Sequence, residues 1–349
     1  MTKKTLKIFG KVIKWVIIFL ILILVVGLIF PTWTPKINGK NSISELKKVK
    51  INETKLEVMI RGNNRDNPVI VFVHGGPCCS EIPYVRKYQD MLEKEFTIVH
   101  YDQRGSGKSY QFGKDYSNVS ASTHVDDLIS LTTYIEEYLH KDQMILIGHS
   151  YGTYIATMAA AKEPKLYRAY VGIGQMSDTI ESELDSLHKC IKAAEKVGNM
   201  EDVTHLSGLE KSIKDGQRLV PRDYVRKYNF AARNIDENGD YTKGFLFGSE
   251  YNLLNTIGFY TASGKYQEAL IMEALKKPVY DIVTKIKIPV YFVMGKYDCM
   301  TSPEAAEKYL SSLQSQSTHE MVIFEKSAHY PQFEEEDKFF RWMCKMFKK

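Results

Sequence analysis

Apolar runs of strand length recur along the chain and are separated by stretches with helical periodicity. "KLEVMIRG" alternates apolar and polar positions like a half-buried strand, whereas "PVIVFVHG", "FTIVHYD" and "QMILIGHS" are continuous apolar runs. Continuous runs suit strands that are covered on both faces of a sheet. "RAYVGIG", "PVYFVMG" and "HEMVIF" extend the series toward the C-terminus. The pattern therefore predicts a sheet enclosed between helices.

Helical patterns lie between these strands. "THVDDLISLTTYIEEYLH" carries apolar residues on one face, and Thr123 with Asp126 forms a predicted capping box at its start. Further helices are predicted directly after Ser150, from about Pro303, and from Pro331 to the end. Strands that alternate with helices indicate an α/β fold with a mainly parallel sheet and right-handed crossovers.

One long segment breaks the alternation. Residues 176–285 contain no convincing strand pattern but include helix-like stretches such as "SDTIESELDSLHKCIKAAEKVG" and "YQEALIMEALKK". Because this segment is too long for a loop, we predict a helical cap over 176–285, inserted between two parts of one core, 51–175 and 286–349. The cap should lie over the carboxyl ends of the strands, where open α/β sheets bind ligands.

An uninterrupted apolar segment, "WVIIFLILILVVGLIF", spans residues 15–30. It approaches the roughly 20 residues that cross a bilayer, and the lysines before it favour a cytoplasmic N-terminus. We predict a cytoplasmic tip and transmembrane anchor over 1–33, a linker over 34–50, and a single-pass protein of the cell membrane in which the domain after the linker is extracytoplasmic. The alternative is a cleaved signal peptide, although "IFPTWTPK" offers no small-residue cleavage site.

Composition narrows the classes of partner. The net charge of +5 comes from the first 50 residues, which hold ten lysines and one acid, so the other 299 residues sum to about −4. We therefore expect the lipid bilayer, and no nucleic acid, as a partner. The five cysteines are odd in number and lack the spacing of metal ligands, so neither a disulfide framework nor a metal site is predicted.

The glycine-rich stretch "YDQRGSGKSY", residues 101–110, has part of the pattern of a phosphate-binding loop. Such a loop needs a glycine five positions before Gly107 and a helix after it. Asp102 stands at that position, and no helical pattern follows. We interpret the stretch as a turn in which Asp102 and Arg104 form a charged structural brace.

The segment "GHSYG", residues 148–152, follows the strand pattern "MILI" and opens a helical pattern. In that context the flanking glycines let the chain turn sharply and expose Ser150 beside a helix N-terminus. We predict that Ser150 is a nucleophile and that the backbone N–H of Tyr151 stabilises a developing oxyanion. A second donor should come from the turn "HGGP" after an early strand.

A serine nucleophile needs a histidine base that a carboxylate orients. His329 lies in "EKSAHYPQ", a predicted loop between a strand and a helix, and Asp298 follows the strand "PVYFVMG" 31 residues earlier. The order Ser150, Asp298, His329 is the one expected for this type of turn. Asp178, which follows the neighbouring strand, is the alternative acid.

The motifs "HGGP", "DQRGSGKS", "GHSYG", "GKYD" and "SAHYP", in this order, resemble the α/β-hydrolase fold. The first two together resemble the proline iminopeptidase branch of serine aminopeptidases. The resemblance covers roughly residues 50–349. It implies that Gly76 and Tyr151 donate to the oxyanion and that no metal or organic cofactor takes part. The chain departs from the family at Cys78, where a glycine is usual, and at Tyr151, where tryptophan is common.

The resemblance also implies that acids of the cap receive the free α-amine of a peptide substrate. Glu181, Glu183, Asp185 and Glu250 are available, and no motif selects among them. The sequence thus predicts a membrane-anchored serine hydrolase that acts on small peptides, with an aminopeptidase of proline iminopeptidase type favoured. A carboxylesterase acting on small esters is the alternative, and a non-catalytic binding protein on the same fold is the alternative of another class.

Overall fold

The computed structural model describes residues 3–315 and 317–348. Its strands within these ranges are β1 (Ile43–Ile51), β2 (Thr54–Gly62), β3 (Val69–Val73), β4 (Thr97–Tyr101), β5 (Met144–His149), β6 (Tyr167–Ile173), β7 (Lys285–Ile286), β8 (Val290–Gly295), β9 (Gln314–Ser315) and β10 (His319–Phe324). The helices are α1 (Lys3–Ile29), α2 (Asp90–Glu95), α3 (Ala121–Leu139), α4 (Tyr151–Lys162), α5 (Thr179–Lys196), α6 (Met200–Ser207), α7 (Glu210–Lys214), α8 (Arg222–Lys227), α9 (Glu237–Phe247), α10 (Leu253–Lys276), α11 (Val279–Ile282), α12 (Pro303–Ser312), α13 (Pro331–Glu334) and α14 (Glu336–Phe347).

The main sheet has the strand order β1-β2-β4-β3-β5-β6-β8-β10 within the described ranges. β2 pairs antiparallel with both β1 and β4, and all other neighbours in this sheet are parallel. The predicted mainly parallel sheet is therefore confirmed, and each strand predicted from an apolar run is present. The short strands β7 and β9 form a separate parallel pair.

Helices cover both faces of the sheet, as continuous apolar strands require. Successive residues of β3 point to opposite faces: Val71 packs with Leu128 of α3 and Ile155 of α4 in one core. Ile70 packs on the other side with Phe339 of α14. The parallel strands consequently end at one edge, where the loops after β3, β5, β6, β8 and β10 meet.

The start of α3 differs from the prediction. Ser120 is its N-cap and forms a capping box with Thr123, whose hydroxyl accepts from the Ser120 backbone N–H. The box thus begins three residues earlier than the predicted pair of Thr123 and Asp126, because a threonine takes the place of the usual Glu or Gln. Asp126 instead pairs with Lys162 at 2.7 Å on the exposed surface.

The predicted linker over 34–50 is wrong. Its second half, from Ile43 onward, forms β1, an edge strand paired with β2 along its whole length. Its lysines suggested a solvated linker, but lysine is also common on edge strands, where it discourages further pairing. The chain before β1 is held as well: Arg61 donates to Thr34 Oγ1 at 2.7 Å, and Lys108 Nζ donates to Thr32 Oγ1 at 2.8 Å.

Helix α1 projects its apolar residues away from the rest of the protein. The segment Ile8–Ile29 is long and apolar enough to cross a membrane, and none of its most apolar window is buried. Its C-terminal end is attached to the segment between α9 and α10. Asn252 Nδ2 donates to the carbonyl oxygen of Phe30 at 2.9 Å, and the backbone N–H of Trp33 donates to Ser249 at 3.0 Å.

Helices α5 to α11 lie between β6 and β7, over the segment predicted as the helical cap. We call this segment the helical insertion. It has a small core of its own, which includes Leu187, Leu206 and Ile213 and also buries Cys299 from the loop after β8. The insertion is thereby anchored to the edge of the sheet where the parallel strands end.

Candidate active site

Ser150 lies at a sharp turn between β5 and α4. Its backbone has φ 54° and ψ −125°, a conformation that costs a non-glycine residue about 1–3 kcal/mol. The neighbouring glycines allow the close packing around it. A Cβ on Gly148 would lie 2.7 Å from the carbonyl oxygen of Gly152, and a Cβ on Gly152 would lie 2.0 Å from that of Val73. The motif therefore presents Ser150 at the edge of the sheet.

The turn after β3, residues 74–77, packs directly against Ser150. A Cβ on Gly75 would lie 2.8 Å from the Cβ of Ser150, and Gly76 has φ 114°, which favours glycine. Tyr151 is the first residue of α4, where backbone N–H groups have no intrahelical acceptor. The structure thus brings Gly76, Tyr151 and Ser150 to the wall of one cavity.

The glycine-rich stretch after β4 supports this turn. Gln103 donates its backbone N–H to His74 Nε2 at 3.1 Å and its side-chain amide to the His74 carbonyl at 2.7 Å. Burial lowers the pKa of His74 to about 4, so the ring is neutral at physiological pH. Since Nε2 accepts, Nδ1 carries the proton and donates to the carbonyl oxygen of Gly75 at 2.9 Å.

Asp102 and Arg104 brace the same stretch in different directions. Asp102 is fully buried and accepts from the Lys108 backbone N–H at 2.6 Å and from the hydroxyl of Tyr251 in the insertion at 2.7 Å. Burial outweighs these hydrogen bonds and raises the pKa of Asp102 to about 6. Arg104 donates twice to Asp127 of α3, at 2.7 Å each.

Asp298 and His329 are in direct contact beneath the insertion. His329 Nδ1 lies 2.8 Å from Asp298 Oδ2, and both side chains are buried. The other oxygen of Asp298 accepts from the backbone N–H groups of Met300 and Thr301 at 2.8 and 3.0 Å. A carboxylate held this way orients the imidazole with its proton on Nδ1.

The second ring nitrogen of His329, Nε2, is buried and has no hydrogen-bond partner among the described residues. Gly174, at the end of β6, provides the space for this ring, since a Cβ there would lie 2.8 Å from His329 Cε1. Asp178, the alternative acid, is the N-cap of α5 and accepts from the backbone N–H of Glu181 at 3.0 Å. The structure therefore pairs His329 with Asp298.

A cavity of about 610 Å³ lies between the insertion and the edge of the sheet. Its wall includes Ser150, Gly76, Tyr151 and His329 on the core side, and Phe259 of α10 on the insertion side. Its size is typical of sites that enclose a small organic molecule. No group of three or more His, Cys, Asp or Glu side chains that could hold a metal occurs within residues 3–315 and 317–348.

A buried pair of Glu81 and His149 lies beside the Asp298–His329 pair. His149 Nε2 donates to the backbone carbonyl of His329 at 3.0 Å, and His149 Nδ1 lies 2.7 Å from Glu81 Oε1. Burial favours the neutral ring, but the hydrogen bond and charge of Glu81 outweigh it, so the pKa of His149 is raised. Glu81 Oε2 is buried and has no partner in the described part of the chain.

The structure shows which of the cap acids lie at the cavity, a point that the sequence left open. Glu183 lines the cavity, but its oxygens already accept from Arg222 at 2.5 and 3.1 Å and from the backbone of Val220 at 2.8 Å. Glu181 is half-buried and pairs with Lys308 of α12. Neither Glu181 nor Glu250 lines the cavity, so their predicted contact with substrate lacks structural support.

Glu250 is buried and pairs with Arg86 at 2.6 Å. Its other oxygen accepts from the backbone N–H of Ser249 at 3.1 Å. Asp185 pairs with Lys189 at 2.8 Å. These two acids stabilise the insertion and its attachment to the core.

Three residues of the site were missed from the sequence. Glu81 lies in the segment after β3 and His149 is the last residue of β5, and the position of Glu81 four residues after the HGGP motif was an available signal. Glu237 of α9 also lines the cavity, but it pairs with Arg226 at 2.7 Å. Of the glutamates that line the cavity within the described residues, only Glu81 lacks an arginine partner.

A family model described as the α/β-hydrolase fold matches residues 68–336, most of the chain. The chain belongs to the α/β-hydrolase family. This hydrolase is 31% identical over 300 residues to the probable aminopeptidase YbaC of Bacillus subtilis, an alignment that covers 85% of this chain and 94% of that protein. It is 24% identical over 295 residues to a protein named proline iminopeptidase from Saccharolobus solfataricus, covering 80% and 84% of the two chains.

Solved structures agree with this assignment of the fold. The proline iminopeptidase of Mycobacterium smegmatis superposes on this hydrolase with a TM-score of 0.63 at 14% identity, covering 87% of this chain and 97% of that one. At this identity the likeness concerns the fold alone. The predicted α/β-hydrolase fold and the resemblance to proline iminopeptidases are both confirmed.

Proposed function

We propose that this α/β-hydrolase is a serine aminopeptidase of proline iminopeptidase type that acts through an acyl-enzyme. Ser150 is the nucleophile, His329 the base and Asp298 the acid that orients it. The observation that carries the proposal is the buried contact between Asp298 and His329, which leaves His329 Nε2 unpaired at the cavity that Ser150 lines. Catalytic contacts often shorten only when substrate binds.

The proposed reaction has two halves. In the first, His329 Nε2 takes the proton of the Ser150 hydroxyl as its oxygen attacks the substrate carbonyl, and the backbone N–H groups of Gly76 and Tyr151 stabilise the oxyanion. His329 then protonates the leaving amine, and an acyl-enzyme remains. In the second half His329 deprotonates a water molecule, which attacks the ester, and the Ser150 hydroxyl is restored.

The proposed substrate is a small peptide with a free N-terminus. An α-ammonium group that enters a buried cavity needs a carboxylate to offset its lost hydration. Glu81 supplies an unpartnered, buried oxygen at this cavity, whereas Glu183 and Glu237 are each neutralised by an arginine. Glu81 is therefore our candidate for the amine-binding residue.

The proposal includes attachment to the cell membrane through α1. The segment Ile8–Ile29 would span about 33 Å at 1.5 Å per residue, close to the roughly 30 Å of a bilayer's hydrocarbon core. The lysines before it favour a cytoplasmic N-terminus, so the catalytic domain is extracytoplasmic. Protease treatment of intact cells tests this orientation, and N-terminal sequencing of the membrane-bound protein distinguishes an anchor from a cleaved signal peptide.

The reaction class is tested with the full chain in detergent micelles. Steady-state rates are measured on aminoacyl-naphthylamides, proline included, and on short acyl nitrophenyl esters, together with labelling by a fluorophosphonate. We expect turnover of aminoacyl substrates that Ser150→Ala abolishes. Asp298→Asn should lower kcat by about 10⁴-fold, since the imidazole loses its orienting charge. Asp178→Asn is the matched control and should retain activity.

Each alternative has its own outcome. Turnover of esters alone would eliminate the aminopeptidase and leave a carboxylesterase. No turnover of either class, with no fluorophosphonate labelling, would favour a non-catalytic binding protein. Loss of activity in Asp178→Asn but not in Asp298→Asn would return the role of the acid to Asp178.

A further inference from the structure

An apolar surface lies on the helical insertion where α9 ends and α10 begins. Its exposed side chains are Leu246, Phe247, Leu254, Ile257 and Tyr260, and Leu246 and Phe247 are 68% and 84% exposed. We call it the α9–α10 surface. Large apolar side chains grouped in this way on a protein surface mark contacts with another protein or with a membrane.

The chain segment that forms the α9–α10 surface carries no exposed charged residue of its own between residues 245 and 261. Between residues 245 and 261 the only charged residue is Glu250, and it is buried against Arg86. Charged residues make up 26% of the whole chain. A water-exposed segment of this length would ordinarily carry several charged residues. The composition of this segment is therefore that of a surface in contact with an apolar environment.

The same surface adjoins the end of α1. Ser249 and Asn252, which lie within it, hydrogen-bond the backbone of Trp33 and Phe30. Leu253, the first residue of α10, packs on α1, where a Cβ on Gly27 would lie 3.8 Å from it. The apolar surface of α1 therefore continues onto the insertion without an intervening linker.

The attachment between α1 and the catalytic domain also restricts their relative orientation. Lys108 and Arg61 of the core hydrogen-bond Thr32 and Thr34, directly after α1. A helix held in this way at its C-terminal end cannot turn independently of the domain, so the domain meets the bilayer surface with the face that surrounds the end of α1.

We propose that the α9–α10 surface docks on the outer face of the bilayer that α1 spans, with its apolar side chains among the lipid headgroups and upper acyl chains. The proposal rests on the membrane attachment proposed above. Trp33 and Tyr260 suit this depth, because tryptophan and tyrosine concentrate at membrane interfaces. Tyr260 also lines the cavity, so docking puts one wall of the active-site cavity beside the lipid surface.

The test is photo-crosslinking of the full chain in vesicles of phosphatidylethanolamine and phosphatidylglycerol. The photoreactive residue p-benzoylphenylalanine replaces one residue at a time, and lipid adducts are detected by intact-protein mass. Leu246 probes the surface. Val197, an apolar residue of the insertion at the end of α5, is the matched control, since the two side chains are 67% and 68% exposed. Ile17 probes α1 itself. Fluorophosphonate labelling checks that each variant is folded.

We expect lipid adducts at Ile17 and Leu246, and none above background at Val197. Adducts at Ile17 but not at Leu246 would overturn the docking and leave the membrane attachment intact. Absence of adducts at Ile17 would overturn both. Equal yields at Leu246 and Val197, or crosslinks from Leu246 to a second protein chain, would also contradict the proposal.

Discussion

Replacing Glu81 by glutamine tests whether its unpartnered oxygen receives the amine of the substrate. Glutamine has the same shape, and its amide can donate to or accept from His149 Nδ1, so the contact behind the His329 loop is retained. The change removes the negative charge that faces the cavity. It therefore separates recognition of the amine from positioning of the base.

The contacts of Glu81 set the size of the expected loss in kcat/KM. A hydrogen bond to a charged group contributes about 1.5–3 kcal/mol, which corresponds to about 10- to 150-fold in kcat/KM. His149 Nδ1 lies 2.7 Å from the other oxygen of Glu81, and this hydrogen bond draws part of the carboxylate's charge away from the cavity. We therefore expect a loss of about 10- to 30-fold, the lower part of that range. It should appear mainly in KM, because the amine is bound equally in the ground and transition states.

The assay compares steady-state kinetics on a prolyl-naphthylamide with those on a nitrophenyl acetate, which has no amine. Glu183→Gln is the matched control: Glu183 lines the same cavity, but Arg222 already occupies its carboxylate. This control should lower Tm and leave the ratio of the two activities unchanged. Equal losses on both substrates in Glu81→Gln would show that Glu81 acts through His149 instead. An unchanged KM for the prolyl substrate would show that the amine binds elsewhere.

Three further predictions concern the residues around the nucleophile. Arg104→Ala leaves the buried carboxylate of Asp127 without its arginine and should cost about 3 kcal/mol. At about 2.1 cal/mol/K per residue over roughly 300 residues, this lowers Tm by about 5 °C; lost turnover with an unchanged Tm would refute it. The pKa of Asp102, raised to about 6 from 3.8, favours its protonated form in the folded state, so stability falls as pH rises between those values. This loss of stability should amount to about 3 kcal/mol and should be absent in Asp102→Asn. The difference between the Tm–pH profiles of the two proteins measures it, and identical profiles would contradict it. Gly75→Ala forces a methyl group to 2.8 Å from the Cβ of Ser150 and should slow fluorophosphonate labelling by about a hundredfold or more; labelling at the normal rate would show that the turn relaxes.

Much of this protein could be predicted from the order of its residues, because the relevant signals are local. A short apolar run between turn residues indicates a buried strand or a buried helix segment. In "GHSYG" the two glycines lie beside the serine that depends on them, so the sharp turn at Ser150 is encoded within five residues. The proximity of Asp298 and His329 could be predicted because each follows a strand whose end must lie at the same edge of a parallel sheet.

The predictions that failed concern pairings between distant segments of the chain, because no local sequence pattern encodes such pairings. The segment 34–50 was taken for a linker because its lysines suit a solvated chain; the pairing of residues 43–50 with β2 makes that part an edge strand. Glu181 and Glu183 looked equivalent in sequence. On α5 they are two residues apart, on different sides of the helix, so Glu181 pairs with Lys308 at the surface and Glu183 faces the cavity.

The sequence by itself determined the α/β architecture, the turn that exposes Ser150 and the order of the residues that follow it. Only the tertiary structure decided which carboxylates remain unpaired. Three of these acids depend on partners that are distant in the chain: Arg222 pairs with Glu183, the hydroxyl of Tyr251 donates to Asp102, and His149 contacts only one oxygen of Glu81. Electrostatic and hydrogen-bond partners act through distances in space, and those distances exist only once the chain has folded.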